Sequence, residues 1–146
     1  MAKKLQNPEK AKAWAKFSRY IRIRDCLKTT KFAFLGVCVT CDRQFHILYL
    51  QAGHCLPGRS NAKLFDEKLV NAQCRYCNEV KNGDIKKYKR RMIDRYGRKK
   101  FEQMEIDAKK VIPYMDYEKT AKTYHDKYTK IMRKHGFGTW SELLRS

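Results

Sequence analysis

The chain has 146 residues, with 34 Lys and Arg against 15 Asp and Glu, for a formal net charge of +19. This length fits one domain, or a small core with helical extensions, and excludes two large lobes. The charge far exceeds what solubility requires and points to a polyanionic partner, while 42% hydrophobic residues leave enough apolar surface for a modest core.

In chain order, Asn7-Pro8 reads as a helix start, with Asn capping and Pro at the first helical position. Trp14, Phe17 and Ile21 recur at helical spacing, so a helix is expected to about Lys28, with this stripe as core packing. From Phe32 to Gln51 the chain reads as β. Thr40-Cys41-Asp42 makes a turn, and Phe45, Ile47, Tyr49 and Leu50 suit a second short strand. Gly53, Pro57 and Gly58 mark a loop, and Val70 and Ala72 a further short strand. A helix is expected in or just after Cys74-Arg75-Tyr76-Cys77, interrupted at Gly83. Ile85, Tyr88, Met92 and Tyr96 form the next stripe, ended by Gly97. A short helix follows over 99–109, and Pro113 breaks the chain. Tyr117, Ala121, Tyr124, Tyr128, Ile131 and His135 then form a seam over 116–135, which either docks on the chain's own core or pairs with a second chain.

The longest apolar run, Phe32 to Val39, is too short to span a membrane. The basic N-terminus has no apolar stretch behind it, so no export signal is expected and the cytoplasm is the expected compartment. The charge is uneven: residues 1–31 carry net +8, 32–80 net +1, 81–100 net +8 and 101–146 net +2. A nearly neutral cysteine-rich centre lies between two cationic segments. Lys12, Lys16, Arg19, Arg59, Lys86, Lys87, Lys89, Arg90 and Arg91 are the candidate contacts to a phosphate backbone.

Without export, six cysteines argue for metal rather than disulfides. Cys38-x-x-Cys41 and Cys74-x-x-Cys77 are two knuckles, and two such turns facing each other make the tetrahedral sulfur site of a structural zinc. Their separation leaves room for a hairpin and a functional loop, the layout of a treble clef. The alternatives are redox pairs or buried thiols. Cys26 reads as a small buried hydrophobe, and Cys55 as a less favoured ligand. Between the knuckles, His54 ends a strand; Asn71 precedes the second knuckle and Asn78 follows it. Phosphodiester hydrolysis needs a base for water and a divalent cation at the scissile phosphate. An imidazole suits the first task, and an asparagine oxygen suits magnesium or manganese. Asn78 and Asn82, four apart, would share a helix face. His46, His125 and His135 read as structural or surface residues.

Ala13-Trp14 with Phe17-Ser18-Arg19-Tyr20-Ile21-Arg22 and Arg24-Asp25-Cys26 resembles the NinG/Rap recombination nucleases of lambdoid phages. So do Gly36 to Cys41, Leu50 to His54, Pro57-Gly58-Arg59, Leu64 to Glu67, Asn71 to Cys74 and Cys77-Asn78, within about residues 13–97. The resemblance implies a structure-selective endonuclease acting on Holliday junctions and other branched DNA, including D-loops, in the cytoplasm of a bacterial host. The core is also similar to HNH, or ββα-metal, nucleases, above all phage endonuclease VII. That likeness implies His54 as general base, Asn71 as a brace for the loop, Asn78 as a ligand of a catalytic magnesium or manganese ion, and products with 5′-phosphate and 3′-hydroxyl ends. Gly53 stands where endonuclease VII has a metal-binding aspartate. The second ligand is therefore open among Asn82, placed first, Asp66, Glu67 and Glu79.

The expected fold class is α+β: a small zinc-bound treble-clef, HNH-like core over 32–83, flanked by a basic helix within 1–31 and a helical region over 84–146 with its basic helix at 84–96. Zn2+ is the expected structural cofactor, branched DNA the expected partner and a homodimer the expected assembly, since symmetric incision needs two sites. The rival reading is a non-catalytic zinc module that binds branched or single-stranded DNA.

Overall fold

A computed structural model describes Leu5 and residues 7–146. Part of the segment expected to carry no export signal lies outside these residues. Helix α1 (Pro8–Thr30) starts as its first residues dictate: Asn7 Oδ1 accepts from the N–H groups of Glu9 and Lys10 at 3.0 and 3.1 Å. It ends at Lys31, whose left-handed φ of 69° lets its N–H reach the Leu27 carbonyl.

Strands β1 (Leu35–Val37) and β2 (Gln44–His46) form an antiparallel hairpin. The second expected strand does not run through to Leu50. A single 3-10 turn at Ile47–Tyr49, capped by His46 Nδ1 on the Leu48 N–H, breaks it. The turn sends the chain into another sheet, where β3 (Leu50–His54) pairs antiparallel with β4 (Val70–Cys74), from Leu50 opposite Cys74 to His54 opposite Val70. The short helix α2 (Asn61–Leu64) lies in the connection. After β4 the chain takes a wide π-type turn over Tyr76–Val80, then α3 (Ile85–Tyr96) and α4 (Arg98–Asp107). Helices α5 (Tyr117–Lys134) and α6 (Trp140–Arg145) complete a mixed α+β fold.

Helix α1 is the spine. Phe17 and Ile21 are fully buried against Ala52 and Val70 of the β3–β4 pair. Ile23 and Cys26 join Ile47, Leu50 and Ala72, and on the other side Tyr128, Met132 and Leu143. The seam of α5 thus docks on the chain's own α1, the most extensive contact between elements. At Gly36 a Cβ would lie 2.8 Å from Cys26 Sγ and 2.9 Å from Leu50 Cδ1, so only glycine lets β1 come this close to α1.

Polar groups fix α1 against β4. Buried Asp25 accepts from the Ala72 N–H at 2.7 Å and pairs with Arg24 at 2.8 Å, while Arg24 donates to the Glu67 and Val70 carbonyls at 2.7 and 2.9 Å. A pair buried this way is held by its satisfied hydrogen bonds more than by Coulomb attraction. A second core, with Cys55, Leu56, Leu69, Tyr88, Met92, Phe101 and Met104, mounts α3 and α4 on the back of β4. Among the described residues no helix is long and apolar enough to cross a membrane.

Candidate metal centre and active site

The two knuckles meet. The sulfur atoms of Cys38, Cys41, Cys74 and Cys77 all lie within 4.8 Å of one another, and those of Cys41 and Cys74 are 3.9 Å apart. A zinc–sulfur bond of about 2.3 Å gives a tetrahedral edge of about 3.8 Å, so the donor set fits zinc in both chemistry and spacing. The second knuckle directs its Cys77 N–H at Cys74 Sγ, at 3.5 Å. At Cys38, burial, which raises a thiol's pKa, is outweighed by hydrogen bonds from Thr40 and the knuckle backbone, and the net direction is down. The Thr40 hydroxyl lies 3.3 Å from Cys38 Sγ and accepts from Gln73 Nε2 at 3.2 Å. Cys26 and Cys55 stand outside the cluster in the apolar cores, where burial pushes both thiols up to about 12. Cys55, weighed as a ligand, is instead packing.

His54 closes β3 and lines a cavity of about 1030 Å³ beside α1. A carbonyl can only accept, so the 3.3 Å contact to the Leu64 oxygen fixes the proton on Nε2 and leaves Nδ1 as the basic nitrogen. The imidazole stacks on the Trp14 ring with centroids 4.7 Å apart and planes at 26°. Burial is the main reason its pKa is lowered, and nearby Arg59 adds to it. Trp14 is therefore only half core. Phe17 and Ile21 of its stripe are fully buried, but Trp14 faces this cavity.

Asn78, Glu79 and Asn82 line the same cavity. Asn78 Nδ2 donates to Gln51 Oε1 at 2.8 Å, which leaves its own Oδ1 uncommitted. A hydrogen bond from Arg75 holds the Glu79 carboxyl below the usual range. Asn78 and Asn82 do not share an α-helical face as expected. The turn closes wide, with Lys81 N–H on the Tyr76 carbonyl and Gly83 N–H on that of Cys77, both at 2.9 Å, and Asn82 sits beyond it at φ 51°. Asp66 and Glu67 are elsewhere: Asp66 caps the Lys68 N–H, and Glu67 accepts from Tyr124 and pairs with Lys127.

Asn71 is 2% exposed and does not line the cavity. Its Oδ1 accepts from Arg95 at 2.9 Å, and its Nδ2 donates to Tyr88 Oη at 3.1 Å. That hydroxyl donates in turn to the Gly53 carbonyl at 2.8 Å. Asn71 thus braces the peptide next to His54 through Tyr88. Gly53 itself has no room for a side chain: a Cβ there would lie 2.0 Å from Gln73 Oε1 and 3.0 Å from Gln73 Cβ. Gln73 is fully buried, and its amide also donates to the Gly83 carbonyl at 2.8 Å.

The sequence model described as Bacteriophage Lambda NinG protein matches residues 2–135. The chain belongs to the NinG family. No curated protein and no solved structure gives a significant match.

Of the expected DNA contacts in this NinG chain, Arg59 borders the His54 cavity. Lys86, Lys87, Arg90 and Arg91 surround a shallow depression on α3, with Arg91 paired to Asp42; Lys89 reaches Glu105 at 3.3 Å. Arg19 lies over the Trp140 ring at 5.2 Å and Lys16 over that of Tyr128 at 5.9 Å. Arg22 is not among those candidates. It lines the cavity, lies 5.1 Å over Trp140, and has no ion-pair partner among the described residues. Burial and then the neighbouring charge of Arg19 lower its pKa to about 10. An unpaired guanidinium in such a place favours an anion. The signal for it in the sequence was its position on the same α1 face as Trp14 and Ser18, which also line the cavity.

Proposed function

We propose that this NinG chain is a divalent-metal-dependent endonuclease that cuts branched DNA in phage recombination, with the His54 cavity as its cleavage site. The observation that carries the reading is the setting of His54. It is a neutral, oriented imidazole lining a cavity that also holds oxygen donors and an arginine with no ion-pair partner among the described residues. The zinc-bound knuckles, β3, β4 and the turn after Cys77 form the ββα-metal core of this reading.

In this reading His54 Nδ1 takes a proton from water as its oxygen attacks phosphorus. A new P–O bond forms, the P–O3′ bond breaks, the leaving oxygen takes a proton from solvent, and a 5′-phosphate and a 3′-hydroxyl result. Asn78 Oδ1, Asn82 and the Glu79 carboxylate are hard donors that suit magnesium or manganese, and Glu79 supplies the carboxylate that Gly53 cannot carry. Such an ion supplies positive charge for the leaving oxygen. Arg22 and Arg59 neutralise the phosphate, and the lysines of α1 and α3 hold the arms by shape rather than by base sequence. Two sites are needed to cut a four-way junction symmetrically, so the acting species is a homodimer.

The filled space at Gly53 favours a second reading, a zinc module that binds branched or single-stranded DNA without cutting it. Cleavage of a synthetic four-way junction with magnesium or manganese decides between them. The first reading expects incision that falls by about 10²–10⁴-fold in His54→Ala while binding persists. A parent protein that binds and never cuts leaves the second.

A further inference from the structure

Between α4 and α5 the chain runs without helix or strand over 111–116 and turns apolar side chains outward. Val111 is 85% exposed, Tyr114 78% and Ile112 42%, and Ile106 on the last turn of α4 is 56% exposed. Single exposed apolar residues are ordinary, but a contiguous group of them marks a contact surface. The segment is tied down. Asn61 Nδ2 donates to the Ile112 carbonyl at 3.5 Å, and the Tyr117 hydroxyl donates to Asn61 Oδ1 at 2.9 Å. Pro113 adds a fixed φ and restricts Ile112 to extended backbone.

The base of this segment is cationic. Lys10, Lys63, Lys109 and Lys110 line a cavity of about 440 Å³ together with Val111 and Ile112. Lys10 Nζ donates to the Arg59 carbonyl at 2.7 Å and Lys63 Nζ to that of Pro57 at 3.2 Å, so two of the four are fixed to the 57–64 loop. That loop also supplies Pro57, Gly58, Arg59 and Leu64 to the His54 cavity. The apolar segment and the candidate cleavage site therefore share one wall.

We propose that Val111 and Tyr114 form a wedge that enters the branch point of the DNA and packs on the base faces exposed there, while the lysines at its foot hold the flanking phosphates. This inference rests on the branched-DNA reading above and adds to it the surface that distinguishes a branch from continuous duplex. Lysines alone bind any phosphate backbone. In continuous duplex every base face is covered, and an apolar side chain must first unstack a step. At a branch, base faces are open, and aromatic stacking on them tolerates any sequence. A second copy of the chain is the poorer occupant of this surface, because the lysines around the apolar group would face the same lysines of that copy.

The test compares the parent with the double variant Val111→Ser, Tyr114→Ser, titrated without added divalent metal onto a four-way junction and onto linear duplex of the same sequence. The variant is expected to lose roughly tenfold or more on the junction and to keep its duplex affinity, with zinc content and melting unchanged. Lys109→Ala with Lys110→Ala should weaken both substrates alike and flatten the salt dependence. A parent that prefers the junction and a variant that keeps that preference overturn the wedge alone. So does equal loss on both substrates, or a change in sedimentation without a change in DNA binding, which would make the surface an interface between copies. A parent without preference for the junction overturns the branched-DNA reading and the wedge with it.

Discussion

Gly53→Ala is the smallest perturbation that tests how the site is built. The added carbon would lie 2.0 Å from Gln73 Oε1 and 3.0 Å from both Cβ and Cδ of Gln73. A terminal oxygen on a free side chain would swing aside, but this amide is fully buried and donates to the Gly83 carbonyl and to Thr40. Displacing it leaves those two acceptors without their donor. With about 1–3 kcal/mol for each buried group left unpaired and a similar range for overpacking, the net loss is at least about 3 kcal/mol. For a chain of this size that lowers the melting temperature by roughly 10 °C. The decisive assay is a double-mutant cycle in thermal melts. Gln73→Ala alone is destabilising, yet it removes the Oε1 and Cδ contacts and leaves only the 3.0 Å one to Cβ, so Gly53→Ala introduced on top of it should cost much less than in the parent. Additive losses, or a Gly53→Ala protein that melts with the parent, refute the reasoning. The same cycle bears on the metal, because placing an aspartate at position 53 would require Gln73 to leave.

Removing the zinc expected on Cys38, Cys41, Cys74 and Cys77 by chelation, or Cys38→Ser, should unfold the chain. Such sites contribute about 10–16 kcal/mol to small metallo-domains, against a total stability of about 5–15 kcal/mol; native near-ultraviolet dichroism after complete metal removal would contradict this. Trp14→Ala hydrates His54 and relieves the burial that lowers its pKa. As the base works only when neutral, the acid limb of the cleavage profile should move to higher pH, with Trp14→Phe close to the parent. The same depressed pKa makes stability fall as pH drops from the unfolded value of about 6.5 through the folded one, and Trp14→Ala should flatten that slope in melts across this window. Tyr88→Phe removes the hydroxyl between Asn71 and Gly53 and should cost about 1–3 kcal/mol in melts, with kcat falling more than DNA affinity.

The parts of this molecule legible in the sequence are those fixed by local chemistry. Two CxxC turns are built to present sulfur, and they meet. Asn7-Pro8 caps and starts α1 where its chemistry says. The a/d-like seam of α5 had two possible partners, and the one it finds is α1. What stayed hidden depends on contacts made across the fold. The break after His46 follows from its Nδ1 capping the Leu48 N–H and from the Leu50 N–H reaching the Ile47 carbonyl, which no period in the sequence records. The widened turn at Tyr76–Val80 needs Gly83 to fold back on Cys77. Trp14 reads as core because its spacing is that of Phe17 and Ile21; only the place where β3 ends puts an imidazole against it.

Gln73 shows why the metal centre and the candidate active site should not be treated as separate devices. One amide touches Thr40, whose hydroxyl serves the Cys38 sulfur, and Gly83, whose N–H closes the turn carrying Asn78. Its Oε1 lies against Gly53, the residue before His54, and finds no donor. From the same side of the sheet, Tyr88 and Asn71 hold the Gly53 carbonyl. The position of His54 is thus set by two links to Gly53, one from the sulfur knuckle through Gln73 and one from α3 through Tyr88. A carboxylate at residue 53 would sever the first of these links, so in the proposed endonuclease an oxygen ligand for a catalytic cation would come from elsewhere in the cavity lining, where Glu79 stands.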